Sequence, residues 1–444
     1  MRAAPQAPLV MLANFEVERR WGHGEFGLPS VGFAASDAMV SHMDEFALLL
    51  AGPGDVVVLK EPPDPVYLDY LGKAGLELPR VLISGSTDPA RSVTEEALDR
   101  PELIGELRRV AERGGILIPH GASDLEVRLA VEAGLPLGTA APDICKKVNS
   151  KLYSRRLADR LGIRQPRGWA CASLDEWGEA LLGAGRLLAE GRGIAVKDAY
   201  GVSGKGIVRI RDARHLSRLD AMTRRRWQRH GATVLNLLIE EWVPKSADLN
   251  YQFTVGRDGS VHFDFVKEAV TENGVHKGHL MPASLTGPQM EELRRTAQMV
   301  GRALAADGYV GVVGVDAMVD PAGGLYPIVE INARLNMSSY QERLRSEAVG
   351  PERVALARHY LVRCTAPVSF AELAAVLDDL LVTEPGGEGL IVNNFATVNA
   401  PLAVSEPGAE AEGRLYGLVV GADRARVAAL DDQITARLNE RFGA

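Results

Sequence analysis

The 444-residue chain has three cysteines, Cys145, Cys171 and Cys364, an odd and widely spaced set without a CxxC pair. That excludes a disulfide scaffold and a cysteine-rich metal module, and it suits a reducing compartment, the cytoplasm. No apolar run is long enough to cross a bilayer. The one near the start is too short, and too soon followed by charge, to read as a secretory signal. Basic charge is not in excess: Lys+Arg 50 against Asp+Glu 58 leaves a net charge of -8, so no global field recruits nucleic acid or an anionic membrane. The triplet Arg224, Arg225 and Arg226 reads as a solvated helix face. Repeats of solenoid period, low-complexity tracts, a GxSxG elbow and a cysteine nucleophile motif are also missing. What remains is an ordinary globular composition, 46% hydrophobic and 24% charged, long enough for roughly three or four compact units.

The apolar pattern divides the chain. Residues 9–13, 56–59, 81–84 and 116–118 read as short buried strands, and helical spacing at 66–74 and 93–113 supplies crossovers, so the first part is an open α/β domain. One helix is expected over 143–162, ending on Gly162. A strand at 169–172, a helix at 177–189 and strands at 194–197 and 207–210 form a small mixed unit. After an apolar strand at 235–243 come strands at 250–255, 261–266, 311–319 and 326–331, with a helix at 287–306 inserted; turns at 257–259 and 321–324 make the sheet antiparallel. The tail from about 367 reads as a separate small α/β cap. The expected division is therefore 1–145, 146–238, 239–365 and 366–444, of mixed α/β and α+β class.

Two stretches carry chemistry. Gly201-Val202-Ser203-Gly204-Lys205-Gly206 offers three residues without Cβ, so backbone N–H groups can converge on phosphate oxygens. Its spacing is not that of a Walker A loop, and a plain hairpin turn is the alternative. Lys197, four residues earlier at a strand end, places a cation beside the same polyphosphate. Asp316, Glu330 and Asn332 form an oxygen-only donor set of the kind that suits magnesium. Glu330 and Asn332 lie two apart on one strand and share a face, with Asp316 opposite on the hairpin partner and Arg334 continuing the face. Unpaired, such an acid is costly to bury; a metal or an arginine removes the cost, and strand-edge salt bridges are the plainer account. Glu240 and Glu241 follow an apolar wall as the edge of an adenine slot would, with backbone groups near Val243, and Asp248 is placed to accept from ribose hydroxyls. Solvated acids at a strand end are the alternative.

Two patterns mislead. Gly22-His23-Gly24-Glu25-Phe26-Gly27 matches GxGxxG, with Asp44 at a ribose acid's distance, but it follows Glu18-Arg19-Arg20-Trp21 rather than a strand end. His276 and His279 lie three apart without a third ligand, which argues against zinc and for a mobile loop.

Together, residues 146–365 resemble the ATP-grasp superfamily, in which two α+β subdomains close on ATP after an N-terminal α/β domain. The resemblance implies that Lys151 and Lys197 are the two phosphate lysines and 201–206, with Ser203, Gly204 and Gly206, the phosphate loop. It implies that Glu240 and Val243 belong to the adenine linker, Asp248 to the ribose, and Asp316, Glu330 and Asn332 to the metal. Arg334 falls where many members carry an arginine near the transferred phosphate. The further phosphate lysine has no fixed place; Lys267 and Lys277 both remain open. Implied with the fold are ATP, two Mg2+ ions with Mn2+ an admissible substitute, and closure of 201–206 and 268–280 over the site. The activity implied is that of a carboxylate–amine ligase taking small carboxylates and amines or peptides, with an ATP-dependent phosphotransferase or a non-catalytic nucleotide-binding regulator as alternatives. The flanks are similar to peptide ligases of bacterial natural-product pathways, the pheganomycin type. Neither nucleic acid nor membrane is expected as a partner, and a homodimer is left open.

Overall fold

A computed structural model describes the chain apart from residues 1–6, 30–33, 86, 87, 89, 202–205, 273, 274, 345, 346, 348, 351 and 444, and describes 34, 271, 272 and 275–277 by backbone alone. Four short strands open it, apolar but for Arg80: β1 (Leu9–Leu12), β2 (Val56–Leu59), β3 (Arg80–Ile83) and β4 (Ile116–Pro119). They pair in parallel in the order β3-β2-β1-β4, with helices as crossovers. The pattern at 93–113 resolves into two helices, Val93–Leu98 and Pro101–Ala111, because Pro101 cannot donate to a preceding turn.

The helix expected over 143–162 is also two, Pro142–Val148 and Lys151–Leu161. Ser150 interrupts it: its backbone is extended and its side chain accepts from Leu152 N, so Lys151 becomes the first residue of a new helix. A second sheet follows, built of β5 (Gly168–Cys171), β6 (Ile194–Asp198), β7 (Ile207–Ile210) and β8 (Leu237–Glu241) in the order β5-β8-β6-β7, with antiparallel neighbours. The helices Leu174–Ala189 and Ala213–His230 bury Trp177, Leu187, Leu216 and Leu219 against one face. Each such side chain contributes about 1.5–3 kcal/mol. The other face, with Leu238 and Ala170, looks toward Leu152 and Ala199.

The third sheet has eight strands: β9 (Ala247–Val255), β10 (Val261–Glu272), β11 (Val275–Met281), β12 (Gly311–Val319), β13 (Leu325–Asn332), β14 (Val354–Cys364), β15 (Gly389–Asn394) and β16 (Ala411–Gly421). Their order is β13-β12-β9-β10-β11-β14-β16-β15. The helix Gly287–Ala306, capped by Thr286 and Gln289 in a reciprocal box, packs Leu293, Ala297, Val300 and Leu304 under it.

Two expectations change here. The C-terminal segment is α/β, but its strands make no sheet of their own: β16 pairs with β14 over its whole length, and β14 pairs with β11. Arg358, His359 and Arg363 break the apolar pattern of β14 and hide that link in the sequence. Of the segment 268–280, expected as a closing loop, 268–272 and 275–280 lie on the paired strands β10 and β11, with ladder pairs such as Glu268 to Leu280 and Ala269 to His279.

Candidate functional site

Register builds the site. Glu330 of β13 stands opposite Asp316 of β12, Asp316 opposite Asn250 of β9, and Asn250 opposite Lys267 of β10, so one transverse row of the sheet reads acid, acid, amide, lysine on a single face. Asn332 continues that face two residues beyond Glu330. Asn250 Nδ2 donates to Asp316 Oδ1 at 2.8 Å, and Asn332 Nδ2 to Asp316 Oδ2 at 3.3 Å. Burial, with the Glu330 charge beside it, pushes Asp316 up to about 6, against the Asn250 bond and the charges of Arg334 and Lys151. Asn250 Oδ1 is buried and accepts no bond among the described residues. Two neighbouring acids, an amide oxygen and an orphaned acceptor on one face are a donor set that a hard divalent cation satisfies, so the residues present fit magnesium.

Cations border this row: Lys151 from the start of the helix Lys151–Leu161, and Arg334 from just past the end of β13. Lys151 Nζ lies 2.6 Å from both Glu330 Oε1 and the Gly201 carbonyl, tying the end of the glycine loop to the acid. Helix start fixes its place: Lys151 N donates to Ala199 O at 3.0 Å. Arg334 Nη2 donates to Asn332 Oδ1 at 3.1 Å and pairs with Glu18 Oε1 at 2.7 Å, while Nη1 donates to Leu335 O at 3.2 Å. A small pocket lies between these groups, bounded by Glu18 and Trp21, by Lys151, Tyr200 and Gly201, and by Glu330, Asn332 and Arg334.

Lys197 and Glu240 occupy neighbouring positions on one face of β6 and β8 and form a buried ion pair. Glu241, the next residue along, must point to the opposite face. There it accepts from Arg167 Nε and Arg192 Nη1, both at 2.8 Å, so its expected contact with nucleotide is corrected to a salt-bridge role at the back of the sheet. Val243 lies half-buried in the strand-free stretch between β8 and β9. Asp248, paired with Lys245, shares the face of Asn250. Lys267 shares the face of Asn250 and Asp316 but is fully buried, its Nζ donating to Gln341 Oε1 at 2.9 Å and Ser338 O at 3.3 Å beneath the helix Met337–Leu344. Ser203, Gly204 and the Lys277 side chain lie outside the described residues. Gly206 has φ 79, and a Cβ on it would stand 2.5 Å from Asp198 Oδ2, so only glycine fits there.

Glu18 is the residue that pattern reading missed. It sits in the helix Val17–Gly22 after β1, with no local signal to distinguish it from Glu16, Arg19 or Arg20. Burial opposes its charge, yet Arg334 first, then His120 and Lys151, hold its carboxyl down at about 2. His120 Nε2 lies 3.5 Å from the same Oε1 and its Nδ1 2.9 Å from Tyr340 Oη; burial pushes this ring down to about 4, leaving Arg334 as the cation that matches Glu18. The Gly22–Gly27 decoy follows a helix, and Asp44 Oδ2 is engaged by Lys60 N at 2.6 Å.

Comparison with known proteins agrees with this geometry. The Pre ATP-grasp domain matches residues 43–135, and the carbamoyl-phosphate synthase L chain ATP-binding domain matches 152–355. The chain is 30% identical over 319 residues to the butirosin acyl-carrier protein–L-glutamate ligase of Niallia circulans, covering 70% of this chain and 68% of that one. It is 24% identical over 283 residues to the carbamoyl phosphate synthase large chain of Xanthomonas campestris pv. campestris, of whose length it spans only 24%. The solved ADP complex of an N5-carboxyaminoimidazole ribonucleotide synthetase superposes with a TM-score of 0.54 at 13% identity, covering 100% of this chain and 99% of that one, which shows the shared fold. Strand register, the facing cations and these matches converge: the chain belongs to the ATP-grasp family, as a carboxylate–amine ligase.

Proposed function

We propose that this ligase activates the carboxylate of an amino-acid-like donor as an acylphosphate and joins it to an amino acid or peptide amine. The observation that carries the proposal is the pocket in which Lys151 and Arg334 face the Glu330, Asp316 and Asn332 row. A carboxylate resists an amine because its charge repels the nucleophile and it lacks a leaving group. In the first step a donor oxygen bonds to the γ-phosphorus of ATP while the bond to the bridging oxygen breaks and ADP leaves. In the second the amine nitrogen bonds to the carbonyl carbon, phosphate leaves with the C–O electron pair, and the surplus amine proton is released. Positioning and charge neutralisation are the protein's share. Asp316, Glu330 and Asn332 would hold two magnesium ions, with Mn2+ an admissible substitute, and these would offset phosphate charge. Lys151 and Lys197 take up further charge, and Glu240, Val243 and Asp248 bound the nucleoside.

Arg334 stands ready to meet the transferred phosphoryl group. The carbonyl of Gly201 and the carboxylate of Glu330 occupy Lys151, and Asn332 and Glu18 occupy Arg334, so each cation exchanges protein acceptors for phosphate oxygens when ATP enters. By extension from the butirosin relative, whose name puts one partner on an acyl-carrier protein, one substrate of this enzyme is borne on such a carrier. The three cysteines are buried and unpaired, which supports a cytoplasmic place; no described helix is long and apolar enough to cross a membrane.

Incubation with ATP, magnesium and a panel of amino acids and short peptides tests the proposal through ADP and phosphate release. Release that needs both a carboxylate and an amine supports ligation. A stable phosphorylated product from the acid alone would make the enzyme a phosphotransferase instead, and nucleotide binding without turnover across the panel a regulator.

A further inference from the structure

We propose that the arginine stripe on the helix Ala213–His230 is the docking surface for an acidic carrier-protein domain that brings the amine-bearing acceptor to the site. This rests on the reading above that one substrate travels on a carrier. Arg214, Arg218, Arg225 and Arg229 follow one another at spacings of four, seven and four residues, which at 3.6 residues per turn places all four within about 60° of the helix circumference, over about 22 Å of its length. Leu216, Leu219 and Thr223 fill the opposite face and anchor the helix to the second sheet. Arg214, Arg218, Arg225 and Arg229 do not pair with an acid among the described residues. Within the triplet 224–226, only the middle arginine is spare: Arg224 pairs with Asp220 at 2.8 Å, and Arg226 donates to the Gly27 carbonyl and lies over the Phe26 ring.

The stripe works against the helix that carries it. Like charges four apart, 214 with 218 and 225 with 229, repel, and Arg214 sits in the first turn, where the positive end of the helix dipole disfavours it. A chain of net charge -8 has acids enough to neutralise such a row, yet none is placed there. Positive charge left unmatched at a cost to the helix fits a partner that supplies the negative charge.

Its location names the purpose. At its C-terminal end the helix holds the 26–28 loop through Arg226 and Gly27, and Leu28 N donates to Asp198, whose carboxylate packs on Gly206 of the phosphate loop. The same loop leads back within a few residues to Trp21 and Glu18, which bound the pocket. The helix of the stripe and the pocket are thus linked through the 26–28 loop, along which the tethered arm of a seated domain would reach the site. Nucleic acid is the weaker occupant: a single-stranded ligand needs exposed aromatic faces to stack on, and Trp227, the aromatic of this helix, is half-buried edge-to-face against Phe26.

The test compares wild type with an Arg214→Glu, Arg218→Glu, Arg225→Glu triple variant, using an acidic acyl-carrier protein in its phosphopantetheinylated form as the probe and a single-stranded oligonucleotide as competitor. The expected result is binding of the carrier by wild type that weakens with salt, at least about 10-fold weaker binding by the variant, and ADP release from free acid and amine within about twofold of wild type in both. Equal carrier affinity in the two proteins, no carrier binding at all, or displacement of the carrier by the oligonucleotide at equal concentration would overturn it. The free-substrate assay keeps the two claims apart: ADP release there that requires acid and amine leaves the ligase proposal standing whatever the carrier does.

Discussion

Arg334 and Glu18 meet at 2.7 Å across the pocket, the arginine just past the end of β13 and the glutamate in the first helix of the N-terminal domain. The pair is largely buried, at 14% and 16% side-chain exposure, so neither charge is readily matched by water. The N-terminal domain thereby reaches the guanidinium proposed to meet the transferring phosphate.

Replacing Glu18 by Gln leaves Arg334 with neutral acceptors only. Steady-state kinetics should show kcat down by about 10- to 100-fold with the KM for ATP changed less than about threefold, and Glu18→Asp should recover part of the loss. Because the Glu18 carboxyl is held at about 2, below the usual carboxylate value, its contribution to stability is full above about pH 4.5 and is lost as pH falls toward 2. Urea titrations at pH 3 and pH 6 should therefore differ more for wild type than for Glu18→Gln.

Lys197→Ala should abolish turnover and also lower stability by about 3–5 kcal/mol, since Glu240 is left charged and buried without its partner. The double variant Lys197→Ala, Glu240→Gln should regain most of that stability in thermal melts while staying inactive. Activity in either protein would remove Lys197 from the phosphate site.

Asp316→Asn takes one of the two acids from the row proposed to hold magnesium. Thermal melts should show wild type raised by several degrees with ATP and magnesium together, and the variant by less than about one degree. An unchanged shift would place the cation elsewhere.

A second group of acids, Glu16, Asp44 and Glu45, lies away from the chemistry. Asp44 and Glu45 line an open pocket between the N-terminal domain and the C-terminal segment. Burial, with Asp44's charge beside it, pushes Glu45 up to about 7 although Phe395 N and Ala396 N donate to it, and burial likewise pushes Asp44 to about 6 and Glu16 to about 8. A native state that keeps protons the unfolded chain has lost grows less stable as pH rises from about 4.5 through 8. Glu45→Gln keeps an acceptor for both amides and removes one titration, so its melting temperature should fall less between pH 5 and pH 8 than that of wild type.

Much of this was legible in the sequence, and for definite reasons. The period-two pattern of β13 put Glu330 and Asn332 on one face, and the turn at 321–324 brought Asp316 opposite them. Lys197 stood out as a cation closing an apolar strand beside glycines. The same rule of alternation separates Glu240 from Glu241, and its neglect accounts for the wrong placing of the latter. Glu18 was invisible because its partner comes from the far end of the chain, and Lys267 because only the helix Met337–Leu344 explains why it turns inward. The C-terminal strands read as a separate cap because Arg358, His359 and Arg363 interrupt the apolar pattern of β14, the strand that joins them to the large sheet.

The most direct test of the account is a crystal structure with a non-hydrolysable ATP analogue and Mn2+, with the metal located by anomalous scattering. The account predicts manganese bound to Asp316, Glu330 and Asn332, and the analogue's phosphates within reach of Lys151, Lys197 and Arg334. A nucleotide bound at another surface, or a manganese peak remote from these three side chains, would contradict it.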